Sequence, residues 1–132
     1  MIDWQLQMDA LAETARLLVN RNVIDLPFLN GRELEVYVAI SPEERAIGLN
    51  DISFIDLDGM LFVYHAPSYT PFTVAKMMMD LDIAWYRKDG SLIQRGTYEA
   101  GYSQPLYCSE AYSYVLETEA GALDDTPLLL KG

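Results

Sequence analysis

The segment LDIAWYRKDGSLIQRG, residues 81–96, constrains the fold most strongly. Two apolar-rich runs flank Asp89-Gly90, and such a dipeptide between strand-like runs marks a β-hairpin. A two-residue loop would place Trp85 opposite Gln94. A three-residue loop, Lys88-Asp89-Gly90 with Gly90 left-handed, places Trp85 opposite Ile93 and Tyr86 opposite Leu92. Burial sets register, which favours the second pairing. Once this hairpin is fixed, a strand-rich domain follows.

Upstream lies VAKMMMDLDIAWY, residues 74–86, where two periods compete. A helix would align Val74, Met77, Met78, Leu81 and Trp85 and bring Lys76 to Asp80. A strand would align Met77, Met79, Leu81, Ile83 and Trp85, with Lys76, Asp80 and Asp82 on the other side. The hairpin decides for a strand reaching back at least to Met79. On it Lys76 and Asp80 stand about 13 Å apart, beyond direct pairing, and Asp80 and Asp82 about 6.6 Å apart. Lys76, Asp80 and Asp82 are therefore the candidate polar face.

Other local signals agree with a strand-rich chain. DLPFL and ELEVYVAI flank Asn30-Gly31, whose positive φ angles suit a primed turn. Leu34, Val36 and Val38 alternate with Glu33, Glu35 and Tyr37, the pattern of a half-buried strand. SPEERAIGLN announces a short helix, with Ser41 and Glu44 forming a capping box, Pro42 at its first position, and Gly48 or Asn50 ending it. MLFVYHA and AYSYVLETEAG supply two more strands. Residues 3–21 have the period of an amphipathic helix, with Trp4, Met8, Leu11, Ala15 and Leu18 at spacings of four and three. Its apolar seam, chiefly Trp4, Met8, Leu11 and Leu18, is a candidate interface, either with its own domain or with another chain.

With 132 residues the chain suits a single domain, a helix over 1–22 followed by a strand-rich core over 23–132. The lone Cys108 permits no intrachain disulfide, and nothing demands an oxidising compartment. The N-terminus lacks the basic start and apolar core of a signal peptide, and no run reaches the ~18 apolar residues of a membrane span. An unexported, cytoplasmic protein without a membrane contact is the expectation. A net charge of −11 disfavours nucleic acid. Six acids and no base lie between Arg95 and Lys131, a solvated face or a surface for a basic partner. Asp51, Asp56 and Asp58 lack the spacing and distal glutamate of a calcium loop. His65, the one histidine, has no local nucleophile or ligand cluster, so no metal, cofactor or catalytic residue is expected.

SPEERAIGL, GMLFVY, LDIAWYRKDGSLI and YVLETEAG occur in the order of motifs of an uncharacterised family, domain of unknown function 192, which the chain resembles over about residues 33–122. That resemblance implies an α+β domain with a mostly antiparallel, barrel-like sheet and short helices, and no transferable enzymatic activity. The family's FWMKNT motif falls on residues 72–77, where only Phe72 is kept. The proline before LD is Asp80. Family members are often exported, unlike the expectation here. Three functions are open: an interaction or assembly protein, within a larger particle for example; a small-molecule or peptide-binding module at Lys76 and Asp82; or an enzyme using paired carboxylates. The first accounts best for the added helix, the acidic stretch and the rewritten motif, so self-association or a protein partner is expected.

Overall fold

A computed structural model describes residues 23–47 and 57–130. The expected helix over residues 3–21, with Trp4, Met8, Leu11 and Leu18, lies outside the described residues, as do Gly48, Asn50, Asp51 and Asp56. Six strands and one short helix follow in the order β1 (Val23–Pro27), β2 (Glu33–Ala39), α1 (Pro42–Ile47), β3 (Gly59–Ser68), β4 (Leu81–Tyr86), β5 (Leu92–Tyr98) and β6 (Tyr112–Glu119). They form one sheet in the order β1-β2-β3-β6-β4-β5. Every pairing is antiparallel except β2 with β3. A parallel pair needs a crossover, and α1 lies within this one. Its capping box forms as the sequence predicts: Glu44 N–H donates to Ser41 Oγ at 3.1 Å, and Ser41 N–H to Glu44 Oε1 at 3.0 Å.

The sheet is mixed and open rather than a barrel, since among the described residues no ladder joins β1 to β5. Its two end hairpins are instead tied by the C-terminal segment. Leu29 N–H donates to the Pro127 carbonyl at 3.0 Å, Leu129 N–H to Pro27 at 2.9 Å, and Leu128 N–H to Gly90 at 3.0 Å. Both hairpins close through three-residue loops. Gly31 and Gly90 each have φ near +89°, and no described non-glycine residue has positive φ. The Asn30-Gly31 turn is therefore not primed; Gly31 alone takes the left-handed conformation. In the second hairpin Tyr86 faces Leu92 as expected, but Trp85 faces Gln94, because a bulge at Ile93 resets the register.

Strand β4 starts at Leu81, not Met79. Before it the chain turns, with Met77 N–H donating to the Val74 carbonyl at 3.0 Å and Phe72 bridging Leu106. The methionines thus do not form one strand face. Met77 enters the core, Met79 is half-buried, and Met78 is 93% exposed. The Asp80 carbonyl, held by Ala120 N–H at 3.1 Å, marks where sheet pairing begins.

Burial on both faces makes β4 apolar throughout apart from Asp82. One face carries Tyr37, Met60, Phe62, Ile83, Trp85 and Val115, and Phe72, Val74, Met77 and Leu106 cover it. The other carries Leu26, Leu34, Val36, Leu61, Ala84, Tyr86 and Leu116, covered in part by Leu123 and Leu128. Tyr37 is therefore buried, and β2 is half-buried only at its start. Gly59 lets β3 and β6 approach, for a Cβ there would lie 2.2 Å from the Glu117 carbonyl oxygen. We expect Gly59→Ala to lower stability by about 2–3 kcal/mol, as overpacking does, measured by urea unfolding; wild-type stability would contradict this packing.

Candidate functional site

The three residues expected to share a polar face do not share one. Lys76 lies exposed in the turn before β4, Asp80 is exposed, and Asp82 is only 1% exposed. Asp82 Oδ1 accepts from Thr97 Oγ1 at 2.6 Å, while its Oδ2 accepts from Gly121 N–H at 3.0 Å and Leu123 N–H at 3.1 Å. Asp80 Oδ1 accepts from Ala100 N–H at 2.9 Å. Asp82 is thus a fastener for the turn after β6, where Gly121 has φ +92°. We expect Asp82→Ala to cost about 3 kcal/mol, because two backbone N–H groups lose a charged acceptor. Thermal unfolding checks this, and an unchanged midpoint contradicts the fastening role.

The other motif acid, Glu117, points the opposite way. Its row runs Tyr37, Met60, Glu117, Ile83 across four strands, so its side chain enters the aromatic face. Among the described residues it has no ion-pair partner, and burial pushes its carboxyl up to about 8. Trp85 Nε1, on the same face, is also buried without a hydrogen-bond partner. Nearby, the Arg45 guanidinium lies 4.4 Å from the Tyr64 ring centroid, and burial raises the Tyr64 phenol.

The folded state therefore holds the Glu117 proton where an unfolded carboxyl, near 4.5, has lost it. The associated stability is full below pH 4.5 and is lost as pH rises through about 8. The total approaches roughly 5 kcal/mol from 1.36 kcal/mol per unit. Urea midpoints at pH 5, 7 and 9 should fall for the native chain relative to Glu117→Gln. Parallel pH profiles would place the carboxyl in contact with water.

The remaining acids of the C-terminal stretch are not one free acidic surface. Glu110 pairs with Arg87, Asp125 with Arg95 at 2.9 Å, and Asp124 accepts from Thr126 N–H at 2.9 Å. His65 is exposed on β3, and Cys108 is half-buried with its thiol pushed up by burial. Among the described residues no cluster of three His, Cys, Asp or Glu could hold a metal ion.

Among the described residues, a groove of about 600 Å³ on the second face has room for another molecule. Ile24 and Leu26 of β1, Val38 of β2, and Leu61 and Val63 of β3 line it from the sheet. Tyr114, Leu129 and Leu130 line it from β6 and the C-terminal segment, and Asp25 is the only charged residue in the lining. Leu123 and Leu128 cover the neighbouring part of this face, and Leu129 and Leu130 carry the same segment to the groove's edge. Val23, Ile24, Ile40 and Leu129 remain 36–48% exposed around it. An apolar patch left exposed among the described residues is the kind of surface that interaction sites use. Alternation in β2 foretells an apolar face, but not which of the described residues cover it.

A family model, DUF192, described as "Uncharacterized ACR", matches residues 28–128. No curated protein matches the chain. The fold resembles the crystal structure of a candidate transcription regulator from Sinorhizobium meliloti 1021, with TM-score 0.64, 22% identity, and 80% of this chain and 89% of that chain covered. It also resembles a protein of unknown function from Novosphingobium aromaticivorans DSM 12444, with TM-score 0.68, 20% identity, and coverage of 82% and 84%. At these identities the likeness concerns the fold alone.

Proposed function

The chain belongs to the DUF192 family, and from that premise we propose that it is a non-enzymatic interaction module whose groove docks an apolar helical segment of protein. The apolar floor between β1, β3 and the C-terminal segment, open among the described residues, carries this reading. A groove with a long apolar lining offers contact area but few polar groups to orient a small reactant. The retained family motifs are occupied with holding the fold: Ser41 and Glu44 cap α1, Gly59 admits β6, and Asp82 binds Gly121. A ligand site at Lys76 and Asp82 loses its support, because Asp82 is buried and fully engaged.

The test is a titration of the full chain with a tryptophan-free amphipathic peptide bearing leucines at helical spacing, followed by NMR. Shifts should concentrate at Val23–Pro27, Val38, Leu61, Val63 and Leu129. The double variant Ile24→Asp/Leu129→Asp, both rim positions, should weaken binding at least about tenfold, equivalent to 1.4 kcal/mol. Perturbations centred on the Lys76 turn, or binding indifferent to the rim substitutions, would overturn the proposal.

A further inference from the structure

An open sheet has two outer edges, and the described chain treats them differently. At the β1 end the C-terminal segment adds a short stretch of strand: Leu129 N–H donates to the Pro27 carbonyl at 2.9 Å, and Phe28 bridges Leu128. At the other end β5 has no such neighbour among the described residues. Register fixes which of its backbone groups face outward. Ala120 N–H donates to the Asp80 carbonyl, so the bonded pairs of the β4–β6 ladder continue at Asp82, Ala84 and Tyr86. Leu81, Ile83 and Trp85 therefore turn their N–H and C=O groups toward β5, where they meet Tyr98, Gly96 and Gln94. Arg95 and Thr97, which alternate with these, direct theirs away from the sheet, and no group among the described residues bonds them.

End strands are commonly guarded by lysine, proline, a bulge or short length. Strand β5 runs seven residues without lysine or proline, and its bulge at Ile93 lies beside the hairpin loop, which leaves residues 94–98 regular. Its one charged side chain, Arg95, is committed to Asp125 at 2.9 Å. The Thr97 hydroxyl is committed to Asp82 at 2.6 Å, yet Thr97 remains exposed. Gln94 holds the backbone of Tyr107 and Ser109 through Nε2 and Oε1, both at 3.1 Å, and Tyr107 beside it is 64% exposed. One pair beyond Leu81 and Tyr98, the exposed Asp80 and Glu99 adjoin, where Ala100 N–H donates to Asp80 Oδ1 at 2.9 Å. We propose that β5 takes up an extended basic segment of a partner protein as an added strand, paired through the Arg95 and Thr97 backbone. Backbone pairing holds the segment, and a lysine or arginine near Asp80 and Glu99 selects it. A second copy fits poorly, because antiparallel pairing about Arg95 sets Arg95 against its own copy, and each chain carries a net charge of −11. This edge is independent of the groove, which lies over β1, β2 and β3.

The probe is a short peptide of alternating lysine and valine, added to the full chain and followed by amide hydrogen exchange and NMR. In the free chain Gln94, Gly96 and Tyr98, bonded to β4, should be protected, while Arg95 and Thr97 exchange at least about a hundredfold faster. The peptide should slow exchange at Arg95 and Thr97 at least about tenfold. Its fully N-methylated form, which cannot donate to the edge or lie flat against it, should leave both unchanged. A glutamate–valine peptide should bind at least about tenfold more weakly. Arg95→Pro removes one outward N–H and no ladder bond, so it should weaken binding to a similar degree. Arg95→Ala, which loses only the Asp125 pair, should not, with circular dichroism confirming that both variants fold. Exchange in the native chain decides the outcome if the proline variant does not fold. Protection of Arg95 and Thr97 before peptide is added overturns the proposal: at the monomer mass of 14.9 kDa the chain covers its own edge, and at twice that mass a second copy does. Equal binding of the N-methylated peptide overturns strand addition, and equal binding of the glutamate peptide overturns a basic partner. Shifts confined to Val23–Pro27 and Leu129 place the peptide in the groove and overturn the edge site.

Discussion

The Asp82 carboxylate determines where the chain goes after its last strand. It accepts from Gly121 and Leu123 N–H and from Thr97 Oγ1, so β4, β5 and the turn after β6 meet at one buried anion. From that turn the C-terminal segment crosses the second face, buries Leu123 and Leu128, and ties the two end hairpins through Pro27, Leu29 and Gly90. A buried carboxylate is tolerated only when its lone pairs are engaged. Here they are, and the direction of the C-terminal segment is the structural return. The same segment supplies Leu129 and Leu130 to the groove, so that wall depends on the same carboxylate.

The sheet has two faces with different fates. The first is closed by aromatic packing, with Phe72 edge-on to Phe62 at 5.1 Å and to Trp85 at 6.5 Å. Phe72 is the residue kept from the family's FWMKNT motif, and here it serves as a lid for the core. Beneath it Glu117 is held in its neutral form at physiological pH by burial, which makes this face the pH-sensitive one. The second face is closed over Ala84 and Tyr86 and, among the described residues, open over β1, β2 and β3. The aromatic core and the groove thus lie on separate faces of the sheet. Rim substitutions can probe docking without disturbing the aromatic core.

Sequence reading succeeded where hydrogen bonds close over a few residues. Ser41 and Glu44, three apart, formed their reciprocal cap. Gly90 took the left-handed position, and Tyr86 met Leu92. It failed where a neighbour distant in sequence decided the outcome. Met78 and Met79 fit a strand, yet the bonds from Ala100 and Ala120 to Asp80 stop the pairing at Leu81. Trp85 turned to Gln94 because Ile93 bulged, which no count of apolar residues reveals. Period two placed Asp82 on the face opposite Leu81 and Ile83, but it could not say that both faces would be buried.

The sequence by itself determined the strand-rich class, the loop of the second hairpin, the helix cap and the family, because alternation, glycine conformations and capping act within a handful of residues. Only the tertiary structure decided that Asp82 is a fastener rather than a site. Its three partners lie 15, 39 and 41 residues away, and separations of that kind are set by strand order. Only the tertiary structure, likewise, left β1, β2 and β3 open on one side among the described residues. Apolar alternation records that a strand face is meant to be covered, and the path of the rest of the chain decides by what.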